Sequence, residues 1–135
     1  MRESLKPGIG CEVAHVVDDG RAIRFMGEDL RVYSTPHIVE DLEYACRDFL
    51  LQHLDDGEDS VGARVDIEHL RPTPMGFTAT HKLIVDKVES RLVTFKVEVH
   101  DGVEVVARAT HARFVVAVAR LKAMVAAKAA QKPAG

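Results

Sequence analysis

The sequence predicts an α+β fold in which one long helix packs against an antiparallel sheet. Apolar residues recur with the helical period between residues 35 and 54, as in an amphipathic helix. After Gly57, apolar and polar residues alternate over several successive stretches, which is the period of half-buried strands. A single amphipathic helix has to bury its apolar face, so we expect the sheet to wrap around a central helix.

Before the helix, the chain contains one predicted strand and a segment that matches neither period. Residues 9–17 are apolar with partial alternation, and Asp18-Asp19-Gly20 is a typical turn sequence. Residues 21–34 are mixed in character. We therefore expect a strand over 9–17 and then an irregular connection to the helix.

The helix is predicted to begin at Thr35-Pro36 and to end near Leu54. Threonine is a good N-cap, and proline is tolerated at the first helical position because its missing N–H has no partner there. Glu43 lies on the border of the two faces, where partial burial would raise its pKa toward the range useful for proton transfer; alternatively, its carboxylate extends into water. The apolar face comprises Ile38, Val39, Leu42, Ala45, Cys46, Phe49 and Leu50, and the opposite face comprises Glu40, Asp41, Arg47, Asp48 and Gln52.

Four strands and a terminal helix are predicted after the turn at residues 55–57. The strands cover residues 61–69, 77–88, 92–99 and 103–116, and the Asp-Gly pair at 101–102 indicates a hairpin between the last two. His69 continues the apolar row of the first of these strands. An alanine-rich stretch with basic residues, 118–130, predicts a short final helix. Such a sheet has a long edge strand, which dimerisation commonly covers.

Length and charge exclude several classes of protein. The 135 residues, 47% of them hydrophobic, suit one domain spanning 1–135 with its own core but leave little room for a deep, self-contained site. A formal charge of −3 without a basic block argues against nucleic acid as a partner. No apolar run approaches the roughly 20 residues of a membrane span, and the first residues lack the apolar stretch of a signal peptide. Two cysteines, Cys11 and Cys46, do not form a disulfide framework, so we expect a cytoplasmic protein.

Three residues could carry hydrolytic chemistry together. The sequence has no P-loop, no Gly-x-Ser-x-Gly elbow and no His-x-x-x-His on a helix, so we expect no metal site. Thr35 lies at a helix start, Glu43 borders the buried face, and His69 lies on a strand expected to face the helix. The glutamate would orient the histidine, and the histidine would activate threonine or water. Each residue also has a purely structural interpretation, as a cap, a solvated carboxylate and a core histidine.

Several short segments resemble the fluoroacetyl-CoA thioesterase family of the hotdog superfamily. They keep the family's order and nearly constant spacing from about residue 32 to 116. The resemblance implies a hotdog fold, a homodimer or higher homo-oligomer with sites at the subunit interface, and hydrolysis of small acyl-CoA thioesters without a metal or organic cofactor. The segments are Val32-Tyr33-Ser34-Thr35, Leu42-Glu43-Tyr44-Ala45-Cys46, Ser60-Val61-Gly62, Glu68-His69, Thr73-Pro74-Met75-Gly76, His100-Asp101-Gly102-Val103 and Thr110-His111-Ala112-Arg113.

The resemblance also implies site residues. The family's catalytic threonine, glutamate and histidine correspond to Thr35, Glu43 and His69, and a glycine near the acyl carbonyl corresponds to Gly62, whose backbone N–H is a candidate donor. We further expect Arg113, with the basic residues of the tail, to contact the CoA phosphates; the alternative is a solvated residue on the strand.

The chain departs from the family's pattern at the substrate end. Met26 and Asp29 stand where fluoroacetyl-specific members place lid aromatics, and Pro36 replaces a glycine that usually follows the threonine. These departures argue against fluoroacetyl-CoA as the substrate, while thioester hydrolysis remains the expected reaction.

Two mechanisms and two other functions fit these residues. Either His69 draws a proton from Thr35 or water, or Glu43 attacks the thioester to form an anhydride. Eight helical residues separate Thr35 from Glu43 by about 12 Å, so direct contact requires a later helix start or a second subunit. A hotdog domain that binds acyl-CoA without turnover is the main alternative. A hydratase is a weaker one, because its Asp-x-x-x-x-His pattern is missing.

Overall fold

A five-stranded sheet and two helices make up the computed structural model, which describes residues 1–135. The strands are β1 (Gly10–Val16), β2 (Glu58–His69), β3 (Thr78–Glu89), β4 (Leu92–His100) and β5 (Val105–Ala117), and the helices are α1 (Thr35–Leu51) and α2 (Val118–Ala129). A 3₁₀ turn at Glu28–Leu30 lies in the connection between β1 and α1. The predicted α+β class is confirmed. Neither helix has the length and apolar character needed to cross a membrane.

The sheet is antiparallel throughout, with the strands in the order β1-β3-β4-β5-β2. Strands β3, β4 and β5 form the predicted meander, while β1 and β2 are the two edges. Because β2 pairs only with β5, its other edge presents backbone N–H and C=O groups of a 12-residue strand. A long free edge of this kind readily pairs with another strand.

A bulge interrupts β2 near its middle. Gly62 pairs with Arg113, whereas Arg64 pairs with the next residue along β5, Ala112, so that Ala63 is the extra residue. Bulges bend a strand and redirect its side chains, and they occur often beside functional sites.

Helix α1 packs its apolar face on the sheet and forms the centre of the core. Ile38, Leu42, Cys46 and Leu50 are fully buried, and Phe49 meets Phe95 of β4 edge to face with ring centroids 6.3 Å apart. The spacing of these residues by three and four positions is the helical period that predicted the face.

Three details of the predicted helix are wrong. Ser34, not Thr35, is the N-cap, since its Oγ accepts a hydrogen bond from the backbone N–H of His37 at 3.2 Å. The helix ends at Leu51 rather than near Leu54. Asp41, assigned to the polar face, is buried, because the segment between β1 and α1 covers that side of the helix.

Candidate active site

The start of α1 and the end of β2 bring a hydroxyl and an imidazole together. Thr35 is the first residue of α1, because Ser34 caps the helix, and His69 is the last residue of β2. Thr35 Oγ1 lies 2.7 Å from His69 Nδ1, within hydrogen-bond distance. The two residues are 34 positions apart in the chain, so only the packing of α1 against β2 joins them.

His69 has the protonation state of a proton acceptor. Burial lowers the pKa of its imidazole below the ordinary histidine value, because a charged ring loses solvation there. The ring is therefore neutral at neutral pH and can receive a proton at Nδ1 from the Thr35 hydroxyl. Its other nitrogen, Nε2, is buried and has no hydrogen-bond partner within the chain.

Glu43 lies two turns further along α1 and rests directly on the bulge of β2. A Cβ atom added to Gly62 would overlap Glu43 Oε1 and lie 3.2 Å from Cδ, so the carboxylate occupies the space that any larger residue would fill. The Glu43 side chain is 41% exposed, and Oε1 lies 3.7 Å from the Arg113 guanidinium. The carboxylate is thus held in place at its base and open to solvent on one side.

Arg113 anchors this arrangement from below. Its side chain is 6% exposed; Nε donates to Ser60 Oγ at 2.7 Å, and Nη2 donates to the Ser60 carbonyl at 2.9 Å. Nη1 lies 3.1 Å from His111 Nε2 and beside Glu43. A guanidinium committed in this way argues against the predicted contact with CoA phosphates and favours a role in holding Glu43.

His111 is a residue of this site to which the sequence analysis gave no role. Because Arg113 donates to Nε2, the ring proton sits on Nδ1, which donates to the Arg64 carbonyl at 2.8 Å. His111 therefore holds the bulged stretch of β2 on which Glu43 rests. The signal was its two-residue spacing from Arg113, which places both side chains on one face of β5.

Within one chain, the predicted site residues form two separate groups. Thr35 and His69 form the first, at the start of α1, and Glu43, Gly62 and Arg113 form the second, at the bulge. The helical rise between Thr35 and Glu43 is about 12 Å, so no contact joins the two groups. An open groove between α1 and β2 runs past the second group, lined among others by Pro36, Val39, Tyr44 and Val61.

One cluster outside this groove has the residue types of a metal site. His15, Asp41 and His81 offer ligand atoms within 4.8 Å of one another. However, both carboxylate oxygens of Asp41 already accept hydrogen bonds from Arg21, and Oδ2 also accepts one from the Tyr33 hydroxyl. A cation would have to displace a guanidinium charge from the same carboxylate, so these residues do not fit a metal ion.

Comparison with known proteins gives consistent results at the level of sequence and structure. Residues 17–119 match the family model described as fluoroacetyl-CoA-specific thioesterase. A fluoroacetyl-CoA thioesterase from Streptantibioticus cattleyicolor is 34% identical over 142 residues, covering all of both chains.

Solved structures show the same similarity. A variant of the fluoroacetyl-CoA-specific thioesterase in complex with fluoroacetate and CoA is 27% identical, with a TM-score of 0.79 over 87% of this chain and 99% of that one. A hot-dog-like protein from Thermanaerovibrio acidaminovorans, 24% identical, has a TM-score of 0.84 over 90% of this chain and 91% of that one, which shows the fold alone. This chain therefore has the hotdog fold and belongs to the fluoroacetyl-CoA-specific thioesterase family.

Proposed function

We propose that the protein is an acyl-CoA thioesterase whose Thr35, Glu43 and His69 act together at the interface of a homodimer. The observation that carries the proposal is the 2.7 Å contact between Thr35 Oγ1 and His69 Nδ1 at the start of a helix. A neutral imidazole beside a hydroxyl is the usual arrangement for activating an oxygen nucleophile. Family membership and the CoA complex of a relative support the choice of thioester.

The chemistry requires one proton transfer and one bond exchange. His69 Nδ1 takes the proton from Thr35, or from a water held at the same position, as the oxygen attacks the thioester carbonyl. The carbon–sulfur bond then breaks, and the CoA sulfur leaves with a proton. The alternative, attack by Glu43 to form an anhydride that water hydrolyses, uses the same residues, and His69 then activates that water.

Two groups of backbone donors are candidates for stabilising the negative charge on the carbonyl oxygen. The N–H groups in the first turn of α1 have no partners inside the helix and lie beside Thr35. The Gly62 N–H lies at the bulge, next to the Glu43 carboxylate. Donors placed at a developing oxyanion are usually the largest single contribution to catalysis of acyl transfer.

A second copy of the chain supplies what one copy separates. The free edge of β2 carries both Gly62 and His69, and it can pair with the same edge of a second copy about a two-fold axis. Such pairing brings Glu43 of one copy toward Thr35 and His69 of the other. His69 Nε2, which has no partner within its own chain, is the atom that a carboxylate from the second copy would orient.

The proposed substrate is a small acyl-CoA other than fluoroacetyl-CoA. The segment before α1 carries Phe25 and Met26, both largely exposed, beside the polar Asp29. An acyl pocket covered by this segment has a different shape from one lined by aromatic rings at positions 26 and 29. A cytoplasmic location remains a prediction of the sequence.

Mixed dimers provide the test of a shared site. Thr35→Ala and Glu43→Gln proteins are purified separately, mixed, unfolded and refolded together, and assayed by released CoA thiol over acyl-CoAs of increasing length. Each variant alone should lose activity by about 10²-fold or more. The mixture should recover about a quarter of wild-type activity, since half the dimers are mixed and one of their two sites is intact.

The control is a mixture of Thr35→Ala with His69→Ala, whose lesions fall in the same group and should give no recovery. Equal recovery in neither mixture, with both single variants inactive, would place each whole site within one chain. Wild-type hydrolysis in Glu43→Gln and His69→Ala would exclude the assigned residues, and retained acyl-CoA binding without any turnover by the wild type would favour the binding module.

A further inference from the structure

A buried polar cluster on the far side of α1 from the groove has no part in the chemistry proposed above. We call it the Asp41 cluster; it consists of His15, Arg21, Tyr33, Asp41 and His81. Arg21 contacts Asp41 with Nε at 2.8 Å and Nη2 at 3.2 Å, and the Tyr33 hydroxyl donates to the same carboxylate. The cluster joins β1, the segment before α1, α1 itself and β3.

The hydrogen bonds of the cluster determine the protonation of every member. Because the Tyr33 hydroxyl donates to Asp41, it accepts from His81 Nε2 at 3.0 Å, so the His81 proton is on Nε2. Arg21 Nη2 lies 3.2 Å from His15 Nδ1, which must accept, so the His15 proton is on Nε2. Both imidazoles are thus neutral, and the cluster contains one ion pair, Arg21 with Asp41. Every group in the chain of contacts has a defined direction, which makes the geometry specific.

The cluster is connected directly to the residue that carries the hydroxyl. The Arg21 carbonyl accepts a hydrogen bond from the Ser34 N–H at 2.9 Å, and Ser34 is the cap that precedes Thr35. Tyr33 stands one residue earlier; its N–H donates to the Thr73 carbonyl at 2.9 Å, and it bridges to Ala22. Asp41, on the second turn of α1, therefore binds both ends of the loop 21–33 whose exit places Thr35.

Stability alone is a weak reason for a buried ion pair of this kind. Well-packed apolar residues can replace buried ion pairs without loss of stability in many proteins, whereas directed polar contacts select one geometry. The approach to Thr35 is otherwise an irregular segment with little secondary structure, the 3₁₀ turn and isolated bridges apart. Catalytic hydroxyls have to be placed closely, since a displacement of about 1 Å can lower a rate by about 10²-fold.

We propose that the Asp41 cluster is a positioning device that places Thr35 Oγ1 on His69 Nδ1. The inference rests on the proposed function for its effect on catalysis, but the contact it controls is measurable without turnover. Tyr33, Asp41 and Arg21 are positioning residues, because they act on the reacting atoms only through the backbone of residues 33–35.

The test is Tyr33→Phe, which keeps the ring and removes the hydroxyl that joins Asp41 to His81. The protein is labelled with ¹⁵N in the histidine rings, and the His69 signals are assigned with His69→Gln. Thr35→Ala provides the Nδ1 shift of a His69 without its hydroxyl partner. Tyr33→Phe should move the His69 Nδ1 signal toward that reference and lower kcat about tenfold, with KM changed less than about twofold.

Asp48→Asn is the matched control for a second variant, Asp41→Asn, because Asp48 is an exposed aspartate on the same helix. The control should leave kcat and the His69 signal unchanged. Should Tyr33→Phe fail to fold, Arg21→Lys, which keeps the charge and loses the forked contact, gives the same comparison. A folded variant with a wild-type His69 signal would overturn the positioning role. If the wild type hydrolyses no acyl-CoA, the proposed function fails, while the His69 signal still decides whether the cluster places Thr35.

Discussion

Two carboxylates, two residues apart on α1, have opposite environments. The Asp41 side chain is 11% exposed and is bound by the forked guanidinium of Arg21 and by the Tyr33 hydroxyl. The Glu43 side chain is 41% exposed and has one cation at 3.7 Å. The first carboxylate has its hydrogen-bonding capacity filled by the protein, whereas the second keeps capacity for a substrate or a second subunit.

The difference comes from what covers each side of the helix. On the Asp41 side, the segment between β1 and α1 folds over the helix and brings in Arg21 and Tyr33. On the Glu43 side, β2 bulges at a glycine and ends the sheet, leaving a groove. One helix thus supports a structural carboxylate and a chemically available one, and the neighbouring elements decide which is which.

The strongest test of this contrast exchanges each carboxylate for its amide. Glu43→Gln should lower kcat/KM by about 10²-fold or more and leave the free energy of unfolding within about 0.5 kcal/mol of wild type. Asp41→Asn should lower the free energy of unfolding by about 2–4 kcal/mol, because Arg21 is left without its carboxylate. Urea unfolding and released-thiol assays on both variants give the comparison. A Glu43→Gln protein that is active but destabilised would reverse the roles assigned to the two residues.

A smaller change examines the support of Glu43 without touching its charge. Gly62→Ala places a methyl group where Glu43 Oε1 now lies, so the carboxylate has to move. We expect kcat to fall about 10–100-fold from this displacement. Gly20→Ala is the control, since the nearest atom to its added methyl group is 3.6 Å away. Undiminished activity in Gly62→Ala would show that the position of Glu43 on the bulge is not required.

The smallest effect is the pH dependence of stability on the Asp41 side. Burial lowers the pKa of His81 from 6.5 to about 4 in the folded protein. Between these values the unfolded chain binds a proton that the folded protein does not, so stability is fully present above pH 6.5 and falls as the pH approaches 4. The loss from this group should be about 3 kcal/mol at pH 4.

Urea unfolding between pH 7 and pH 4.5 measures this slope. His100→Asn, a change at an exposed histidine, should keep the wild-type slope. A free energy of unfolding that stays constant over this range would mean that His81 is not held neutral by burial.

Much of the fold was predictable because it depends on short-range patterns. The helix was found from the spacing of residues such as Ile38, Leu42 and Leu50, and the strands from alternation after Gly57. The errors fall at residues whose environment is supplied from elsewhere. Ser34 took the cap predicted for Thr35, and Asp41 is buried on a side of the helix that looked polar.

The candidate site shows the same division. Thr35, Glu43, His69 and Gly62 were identified as residues, and so was Arg113, but their grouping was not. Pattern and resemblance do not report which side chains meet, so neither the exchange of partners around Arg113 nor the role of His111 was foreseen.

The sequence by itself determined the succession of one helix and a meander of strands, and the residue types available for hydrolysis. These follow from local periodicity and from chemistry that each side chain carries alone. Only the tertiary structure decided that Thr35 meets His69, that Glu43 rests on Gly62, and that Asp41 is buried against Arg21 and Tyr33. Such contacts join positions far apart in the chain, and their geometry depends on how α1 is packed between the β2 bulge and the segment that precedes it.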